Sequence, residues 1–200
     1  MSRTSGIDVS HHNGTIDWLK VANTGNHFAM IKATEGENYK DVRFHGNWEF
    51  APKQGIFVGA YHFFHPNQDV GNQLANFTSM VGKLRKYDLP PILDWEITNN
   101  VSPELQKERA LNWLEQAEKV FGITPMLYTF TSFLKELGDM SAFARFPLWI
   151  ARYGVTDPGP IAPWKDWTVW QYSDKGQFGD RDVWNGDRNA IRAISYQGNS

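Results

Sequence analysis

Short apolar runs, rich in β-branched and aromatic residues, recur along the chain and predict eight strands. Most runs are apolar at consecutive rather than alternate positions, which is typical of strands covered on both faces in a parallel sheet. The predicted strands cover residues 6–10, 28–34, 57–64, 91–96, 125–129, 147–152 and 167–172, with a weaker one at 180–184.

Amphipathic segments between the early strands predict helices. In the clearest one, Ser102 is the N-cap, Pro103 takes the first helical position and Gly122 ends the helix. Apolar residues fall between them at steps of three and four residues. Weaker helices are predicted at 17–23, 42–54, 70–86 and 132–137.

After Pro147 the strand candidates crowd together between turns rich in proline and glycine, and no helix of useful length is predicted. Strands that alternate with helices indicate an α/β fold with a parallel sheet. Eight strands with so few helices predict a barrel whose last third has lost its helices. An open doubly wound sheet is the alternative, although no glycine-rich phosphate-binding loop follows the first strand.

Composition narrows the class of protein. The chain has 200 residues, of which 41% are hydrophobic, so we expect one domain with a core over about residues 5–194. The formal charge is −2 without a basic segment, which argues against a nucleic-acid partner. The absence of cysteine excludes disulfides, thiolate nucleophiles and cysteine-ligated metals. No apolar stretch approaches the roughly 20 residues of a membrane-spanning helix, so no membrane insertion is expected.

Carboxylates occur in or at the end of four predicted strands, within otherwise apolar sequence. In a parallel α/β barrel, polar residues at the carboxyl ends of the strands form the active face. Isolated buried charges are costly, so one acidic cleft explains the pattern better than separate structural accidents. The acids assigned to this cleft are Asp8, Asp94, Glu96 and Asp180.

Asp94 and Glu96 are the two acids that most clearly predict a catalytic site. Two residues apart on a strand, they point to the same face and lie about 6.6–6.8 Å apart along the backbone. Such a pair can cleave a glycosidic bond, because a protonated carboxyl donates to the leaving oxygen while an ionised one stabilises the cationic sugar. The apolar approach through residues 90–93 would raise the pKa of the acid by desolvation. The alternative is a structural pair that caps loops or binds a Lys or Arg.

The histidines do not favour a metal site. His11 and His12 are adjacent, and neighbours on an extended strand face opposite sides, so they cannot easily share an ion. His62 and His65 are interpreted as hydrogen-bonded structural residues. We therefore predict no metal and no cofactor.

Aromatic residues make up 14% of the chain, including 9 Trp. Flat aromatic faces can stack on sugar rings, although any single one is more often part of a core. The aromatic residues at strand ends that together favour a sugar-binding groove are Tyr61, Tyr128, Trp149, Trp170 and Tyr172, with Tyr39 in the loop after the second strand. Lys32, near the end of that strand, is either a counter-charge for Asp8 or a donor to a substrate hydroxyl.

Six short segments resemble those of the glycoside hydrolase family 25 lysozymes, the Chalaropsis-type muramidases of phage endolysins and bacterial autolysins. They occur in the family's order and span nearly the whole chain. They are Gly6-Ile-Asp-Val-Ser10, Ile31-Lys-Ala-Thr-Glu-Gly36, Gly59-Ala-Tyr-His-Phe63, Leu93-Asp-Trp-Glu96, Pro147-Leu-Trp-Ile-Ala-Arg-Tyr153 and Trp170-Gln-Tyr172. The resemblance implies a flattened, irregular TIM-like (β/α)5β3 barrel. It also implies hydrolysis of the β-1,4 bond after N-acetylmuramic acid in peptidoglycan.

The resemblance implies residue roles as well. Glu96 corresponds to the proton donor and Asp94 to its acidic partner. The positions that correspond to the other cleft acids and to substrate contacts are Asp8, Asp180, Lys32, Tyr61, Tyr128 and Trp149.

One position departs from the family pattern. Members usually carry asparagine two residues after the last acid, and here that residue is Asp182. Either Asp180 or Asp182 is then the cleft acid. The segment 180–186 aligns without a gap when Asp180 takes the role, so Asp180 is favoured.

The short spacing on the fourth strand places Asp94 poorly for the opposite face of the sugar ring. We therefore favour substrate assistance, in which Glu96 protonates the glycosidic oxygen and the 2-acetamido carbonyl attacks the anomeric carbon with net retention. Asp94 would orient that acetamido group. An inverting route, with Asp94 or Asp180 activating a water molecule, is the alternative.

Two other functions compete with this hypothesis. One is a non-catalytic wall-binding module on the same fold, which has no need of the acid pair. The other is a further retaining glycosidase such as a chitinase, which typically carries a longer acidic run before the glutamate.

The expected setting is the glycan of the bacterial cell wall, on which the protein acts as a monomer without a separate wall-binding domain. The N-terminal residues lack the apolar core of a signal peptide. This fits a phage enzyme released through a holin pore, or a chain whose leader has been removed.

Overall fold

Nine strands form one sheet in the structure, a computed structural model that describes residues 2–198. They are β1 (Thr4–Val9), β2 (Phe28–Glu35), β3 (Tyr39–Lys40), β4 (Phe57–Phe63), β5 (Ile92–Asp94), β6 (Met126–Phe130), β7 (Leu148–Ala151), β8 (Val169–Ser173) and β9 (Asp180–Trp184).

Eight of these strands close into a barrel. β1 pairs in parallel with β2, and parallel pairing continues through β4, β5, β6 and β7 to β8. β9 closes the barrel between β8 and β1 and runs antiparallel to both. The short β3, which the sequence did not predict, pairs with the end of β2 outside the barrel. The closed α/β barrel confirms the predicted fold class and excludes the open sheet.

The direction of β9 decides which of its residues reaches the active face. Because β9 runs against β1, Asp180 pairs with Asp8 and lies at the carboxyl end of the parallel strands. Asp182 pairs with Gly6 and therefore lies one layer deeper. The last predicted acid thus reaches this end of the barrel from the beginning of a strand.

Alternation along the strands separates two apolar layers. The inward residues that fill the barrel include Phe28, Met30, Phe57, Ile92, Met126, Val169 and Trp184. The residues between them face outward and pack beneath the helices. A Cβ at Gly6 would lie 2.5 Å from the ring of Phe28, so glycine makes room for that ring inside the barrel.

The described chain has six α-helices, of which the first five pack on the outer layer and the sixth, through Ile191, packs on the residues that fill the barrel. They are α1 (Trp18–Asn23), α2 (Phe44–Phe50), α3 (Val70–Val81), α4 (Pro103–Phe121), α5 (Thr131–Leu137) and α6 (Arg188–Ile194). α4 has its predicted bounds, because the Ser102 side chain accepts from the amide of Leu105 and Gly122 adopts a left-handed φ of 67°.

Three helical segments differ from the prediction. α3 ends at Val81 because Gly82 has a φ of 66°, so residues 83–86 are not helical. The segment 42–54 is divided into α2 and a 3-10 turn that begins at Pro52. α6 was not predicted, and it begins after Asp187, whose side chain accepts from two backbone amides.

The adjacent histidines do not continue β1. A 3-10 turn begins at His11, and its ring lies beside that of His12 with a centroid distance of 3.9 Å. The expectation that the two rings face opposite sides was wrong, because the strand ends at Val9.

Within residues 2–198, no helix combines the length and apolar character needed to cross a membrane.

Candidate active site

Inward positions at the carboxyl end of the barrel bring most of the predicted site residues together. We call this set the mouth ring. It consists of Asp8, Lys32, Tyr61, Asp94, Glu96, Tyr128, Trp149, Gln171 and Asp180, with Asp182 one layer deeper.

Asp94 and Glu96 lie on the same inner side of the barrel, because Trp95 between them is buried in the outer apolar layer. Asp94 is buried, and its Oδ1 meets no hydrogen-bond donor among the described residues. Burial, followed by the neighbouring Glu96 carboxyl, raises the pKa of Asp94 well above its usual value. Burial also raises the pKa of Glu96, although Lys32 works against this shift. The two acids therefore retain a proton to higher pH than free carboxyl groups do.

Lys32 brings positive charge to this pair. It is buried, its Nζ lies 4.9 Å from the ring centre of Phe63, and Nζ donates to Glu35 Oε2 at 2.6 Å. Glu35 also contacts His65 Nε2 at 3.1 Å. Burial acts to raise the pKa of Glu35, but the hydrogen bonds from Lys32 and His65 outweigh burial and lower it. Lys32 is thus a counter-charge for Glu35 rather than for Asp8.

Gln171 joins the acids of β1 and β9 to two phenols. Its Nε2 donates to Asp8 Oδ2 at 2.7 Å and to Asp180 Oδ2 at 3.2 Å. Its Oε1 accepts from the hydroxyl of Tyr128 at 2.9 Å and from that of Tyr153 at 2.7 Å. One amide therefore holds four side chains of the mouth in position.

Asp8 and Asp180 face each other across the antiparallel pairing of β1 and β9. Burial, followed by the charge of Asp180, raises the pKa of Asp8 to about 7. Burial, followed by the charge of Asp174, raises the pKa of Asp180, which is only partly buried at the barrel mouth. These acids hold their protons to higher pH than exposed aspartates.

Asp182 lies below Asp180 in the barrel interior and is fully buried. Its Oδ1 accepts from Trp149 Nε1 at 2.8 Å. Of the two acids between which the sequence left a choice, Asp180 is the one at the mouth, and Asp182 lies beneath it.

A cleft of about 370 Å³ opens beside Glu96. This size falls in the range of about 300–1,000 Å³ that is typical of small-molecule sites. The cleft is lined by Glu96, Tyr128, Phe130, Thr131, Ser132, Ala151, Arg152 and Tyr153. Aromatic faces and hydroxyl groups beside a carboxyl suit a sugar ring, which has apolar faces and a polar edge.

Trp170 and Tyr172 lie outside the mouth ring, which corrects their placement in the predicted groove. Gln171 faces inward, so its two neighbours on β8 face outward. Trp170 packs against Trp167, and its Nε1 donates to the backbone oxygen of Arg152 at 2.9 Å. Tyr172 packs against the same outer layer. Both residues stabilise β8 from outside the barrel.

Tyr39 lies at the rim and is exposed. Its ring centre is 5.6 Å from Lys32 Nζ, and its hydroxyl is 2.9 Å from His11 Nδ1. His11 Nδ1 lies 2.8 Å from the buried Asp41. Among the described residues, no group of three or more His, Asp or Glu side chains is arranged to hold a metal ion.

The predicted site omitted Gln171 and Tyr153. A signal for Gln171 was present, because a polar residue between two aromatic residues of a strand must face the other side. Tyr153 follows β7 in a loop, where no alternation marks it, although it ends the segment 147–153 that resembles the family.

A closed α/β barrel with two acids at the end of one strand, further acids opposite them and an aromatic cleft defines the class of protein as a glycoside hydrolase. The family model described as glycosyl hydrolases family 25 matches residues 7–181, and the chain belongs to this family.

Individual relatives agree with this assignment. The chain is 35% identical to Lysozyme M1 of Streptomyces globisporus, over 97% of this chain and 72% of that protein. Its structure is similar to that of the bacterial lysozyme from Streptomyces coelicolor, with a TM-score of 0.91, 33% identity and 98% of each chain covered. It is also similar to a family GH25 lysozyme from Aspergillus fumigatus, with a TM-score of 0.92, 29% identity and coverage of 97% and 99%. The protein is therefore a glycoside hydrolase of the lysozyme type.

Proposed function

We propose that this protein is a muramidase that cleaves the β-1,4 bond between N-acetylmuramic acid and N-acetylglucosamine in peptidoglycan. The observation that carries the proposal is the Asp94–Glu96 pair beside an aromatic cleft in a family 25 barrel. Its site of action is the bacterial cell wall, in keeping with relatives that are named lysozymes and an autolytic lysozyme.

Glu96 is the general acid in this proposal. It lies at the cleft and its pKa is raised chiefly by burial, so it holds a proton to higher pH than a free glutamate does. The proton passes to the glycosidic oxygen as the bond to the anomeric carbon breaks. Water later supplies the hydroxyl at the anomeric carbon and returns a proton to Glu96.

Asp94 orients and stabilises the 2-acetamido group of the sugar on the glycone side. In the free site its Oδ1 lacks a donor, and its raised pKa places the shared proton of the pair deep in the barrel. An acetamido N–H that donates to Asp94 favours the ionised carboxylate. Substrate binding would thus move the shared proton toward Glu96, where the leaving oxygen needs it.

Net retention follows from this arrangement. The acetamido carbonyl, and not a carboxylate, attacks the anomeric carbon, and water then opens the cyclic intermediate from the face that the leaving group occupied. Asp180 is the third acid of the cleft, because it lies at the mouth while Asp182 is enclosed below it. Proton NMR of the first-formed anomer tests this route, and an inverted anomer would exclude it in favour of a water activated by Asp94 or Asp180.

The decisive experiment compares the wild type with Glu96→Gln on purified peptidoglycan. The products are reduced with borohydride and their new ends are identified by mass spectrometry. We expect reduced muramic acid ends from the wild type and a loss of about 10²–10⁴-fold in rate for the variant, the usual effect of removing a general acid.

The alternative function is a wall-binding module. If neither protein forms new ends on a wall that a control lysozyme digests, the mouth ring is a recognition site and the muramidase proposal fails. Reduced glucosamine ends in place of muramic acid ends would likewise reject it.

A further inference from the structure

Asp182 is the most deeply buried acid of the barrel, and the route proposed above gives it no chemical step. Its carboxyl is fully enclosed, with Oδ1 accepting from Trp149 Nε1 at 2.8 Å. Its Oδ2 is equally enclosed and meets no donor from a described N–H or hydroxyl group. The carboxyl of Asp182 is also within hydrogen-bonding reach of another carboxyl, that of Asp8.

The register of the barrel explains this contact. Asp182 is opposite Gly6 on β1 and opposite Gln171 on β8. Gly6 has no side chain, so the nearest inward side chain of β1 is that of Asp8, two residues on. Two carboxyl groups therefore meet inside the barrel between Trp149 and Gln171.

The Asp8–Asp182 pair needs one more hydrogen-bond donor than its neighbours supply. Trp149 gives one N–H to Asp182, and Gln171 gives one N–H to Asp8. If both acids were ionised, two negative charges would face each other in an enclosed space. One proton between them removes a charge and supplies the missing donor, because a protonated carboxyl has one O–H to give. Unpaired buried charges are costly, so the singly protonated pair is the stable form.

We propose that Asp182 is a positioning residue that carries this proton and donates it as a hydrogen bond to Asp8, which stabilises the ionised form of Asp8 and aims its carboxyl at the mouth. Asp8 then accepts from two neutral donors, the Asp182 hydroxyl and the Gln171 amide. This inference deepens the proposed muramidase function and rests on it, because it concerns how one acid of the same site is kept in place.

The ionisable groups around the pair support the assignment of the proton. The other groups that interact with it are acids or phenols, namely Asp94, Glu96, Asp180, Tyr61, Tyr128 and Tyr153. Burial, followed by the charge of Asp8, raises the pKa of Asp182 well above its usual value. Asp182 is enclosed while Asp8 is partly exposed, so the deeper acid keeps the proton.

The test compares Asp182→Asn with Asp182→Leu, and uses Asp180→Asn as the matched control two residues along the same face. Asparagine can reproduce both contacts, with its amide N–H donating to Asp8 and its carbonyl accepting from Trp149. Leucine of similar size can reproduce neither. All four proteins are measured for thermal unfolding between pH 4 and pH 8 without substrate, and for kcat/KM against pH on peptidoglycan.

The expected result has two parts. A carboxyl that is protonated when folded and ionised when unfolded makes stability fall as pH rises above about 4. Asparagine does not titrate, so the Tm of Asp182→Asn minus that of the wild type should grow with pH. Asp182→Asn should keep activity within about threefold of the wild type, while Asp182→Leu should lose about tenfold or more, as expected when a buried acceptor loses its donor. The control variant should show a smaller growth of the Tm difference, since Asp180 is less enclosed.

Two results would overturn the inference. A Tm difference for Asp182→Asn that stays constant or shrinks with pH would mean that Asp182 is ionised in the folded protein. A loss of activity in Asp182→Asn as large as that in Asp182→Leu, with both variants folded, would mean that a donor to Asp8 is not what the site needs. If the wild type itself releases no reducing ends, the muramidase proposal fails, and the unfolding series still decides where the proton lies.

Discussion

Two acid pairs share the mouth ring, and they limit their negative charge by different means. At the end of β5, Asp94 and Glu96, the β5 pair, lie in the field of Lys32, whose charge opposes the rise in their pKa values that burial causes. On β1 and β9, Asp8 and Asp182 are held by an amide and an indole N–H, which are neutral donors.

This difference suits the two pairs to different tasks. A nearby cation lowers the cost of ionisation, so a proton on the β5 pair can leave and return within the reaction. Neutral donors lower that cost less than a cation does, so in this proposal the proton on the other pair stays where it is. The first pair is arranged for proton transfer and the second for holding geometry.

The largest expected effect is on the β5 side of this comparison. Asp94→Asn should lower kcat by about 10²–10³-fold, because the stabiliser of the acetamido group loses its charge at the point where positive charge develops. Initial rates on soluble muropeptide oligomers measure this loss. Asp157→Asn, in an exposed loop, controls for the loss of a carboxyl elsewhere. If Asp180→Asn lowers kcat more than Asp94→Asn does, the acids of β1 and β9 matter more for the reaction than the β5 pair, which contradicts the proposal.

Removal of the Lys32 charge should make the β5 pair resemble the Asp8–Asp182 pair. Lys32→Met takes away a charge that lowers the pKa of both Asp94 and Glu96, so both limbs of the kcat/KM profile should move to higher pH, by about one unit. On the acidic limb the activity should fall by up to about tenfold, the limit set by a one-unit shift, because less of Asp94 is ionised there. Lys32→Met also takes the Lys32 hydrogen bond from the Glu35 carboxylate, which is a second way in which the profile can shift. The double variant Lys32→Met/Glu35→Gln removes that carboxylate and so isolates the effect of the Lys32 charge. An unchanged profile in both variants would contradict the role given to Lys32.

The neutral donors to the Asp8–Asp182 pair can be removed in a similar way. Gln171→Leu removes the N–H that Asp8 and Asp180 share, and it leaves the phenols of Tyr128 and Tyr153 without their acceptor. We expect kcat/KM to fall about fivefold to tenfold, with the pKa of Asp8 moving further upward. Carboxyl-carbon NMR of labelled aspartates measures that shift. A downward shift would mean that Gln171 does not stabilise the ionised form of Asp8.

The smallest effect on activity is expected outside the ring. Trp170→Phe should change KM by less than about twofold, because its side chain lies on the outer face of β8. It should lower the free energy of unfolding by about 1 kcal/mol, through loss of the hydrogen bond to Arg152. Trp149→Phe is the inward counterpart and should affect KM more. Equal effects of the two variants on KM would contradict the separation of inner and outer faces.

Much of the site could be predicted because its chemistry lies at strand ends. Asp94 and Glu96 stand two residues apart in a strand, and that spacing alone puts them on one face. The apolar runs that carry Asp8 and Lys32 likewise mark buried strands whose polar residues need partners. The predictions that were wrong concern the face of a strand on which a side chain lies and the direction in which the chain continues. The aromatic character of Trp170 and Tyr172 predicts a place in the groove, but Gln171 between them faces inward, so both face outward.

The amino-acid sequence by itself determined the α/β class, the family and the acids of β5, because these depend on local periodicity, spacing and residue type. Only the tertiary structure decided which acids meet. The antiparallel closure by β9 sets Asp180 against Asp8 and encloses Asp182, and the pairing of β8 with β9 brings Gln171 between them. The contacts of Asp8 with Gln171 and Asp180 join residues more than 160 positions apart in the chain. Their pKa values follow from burial and from neighbours that strand order, rather than local sequence, supplies.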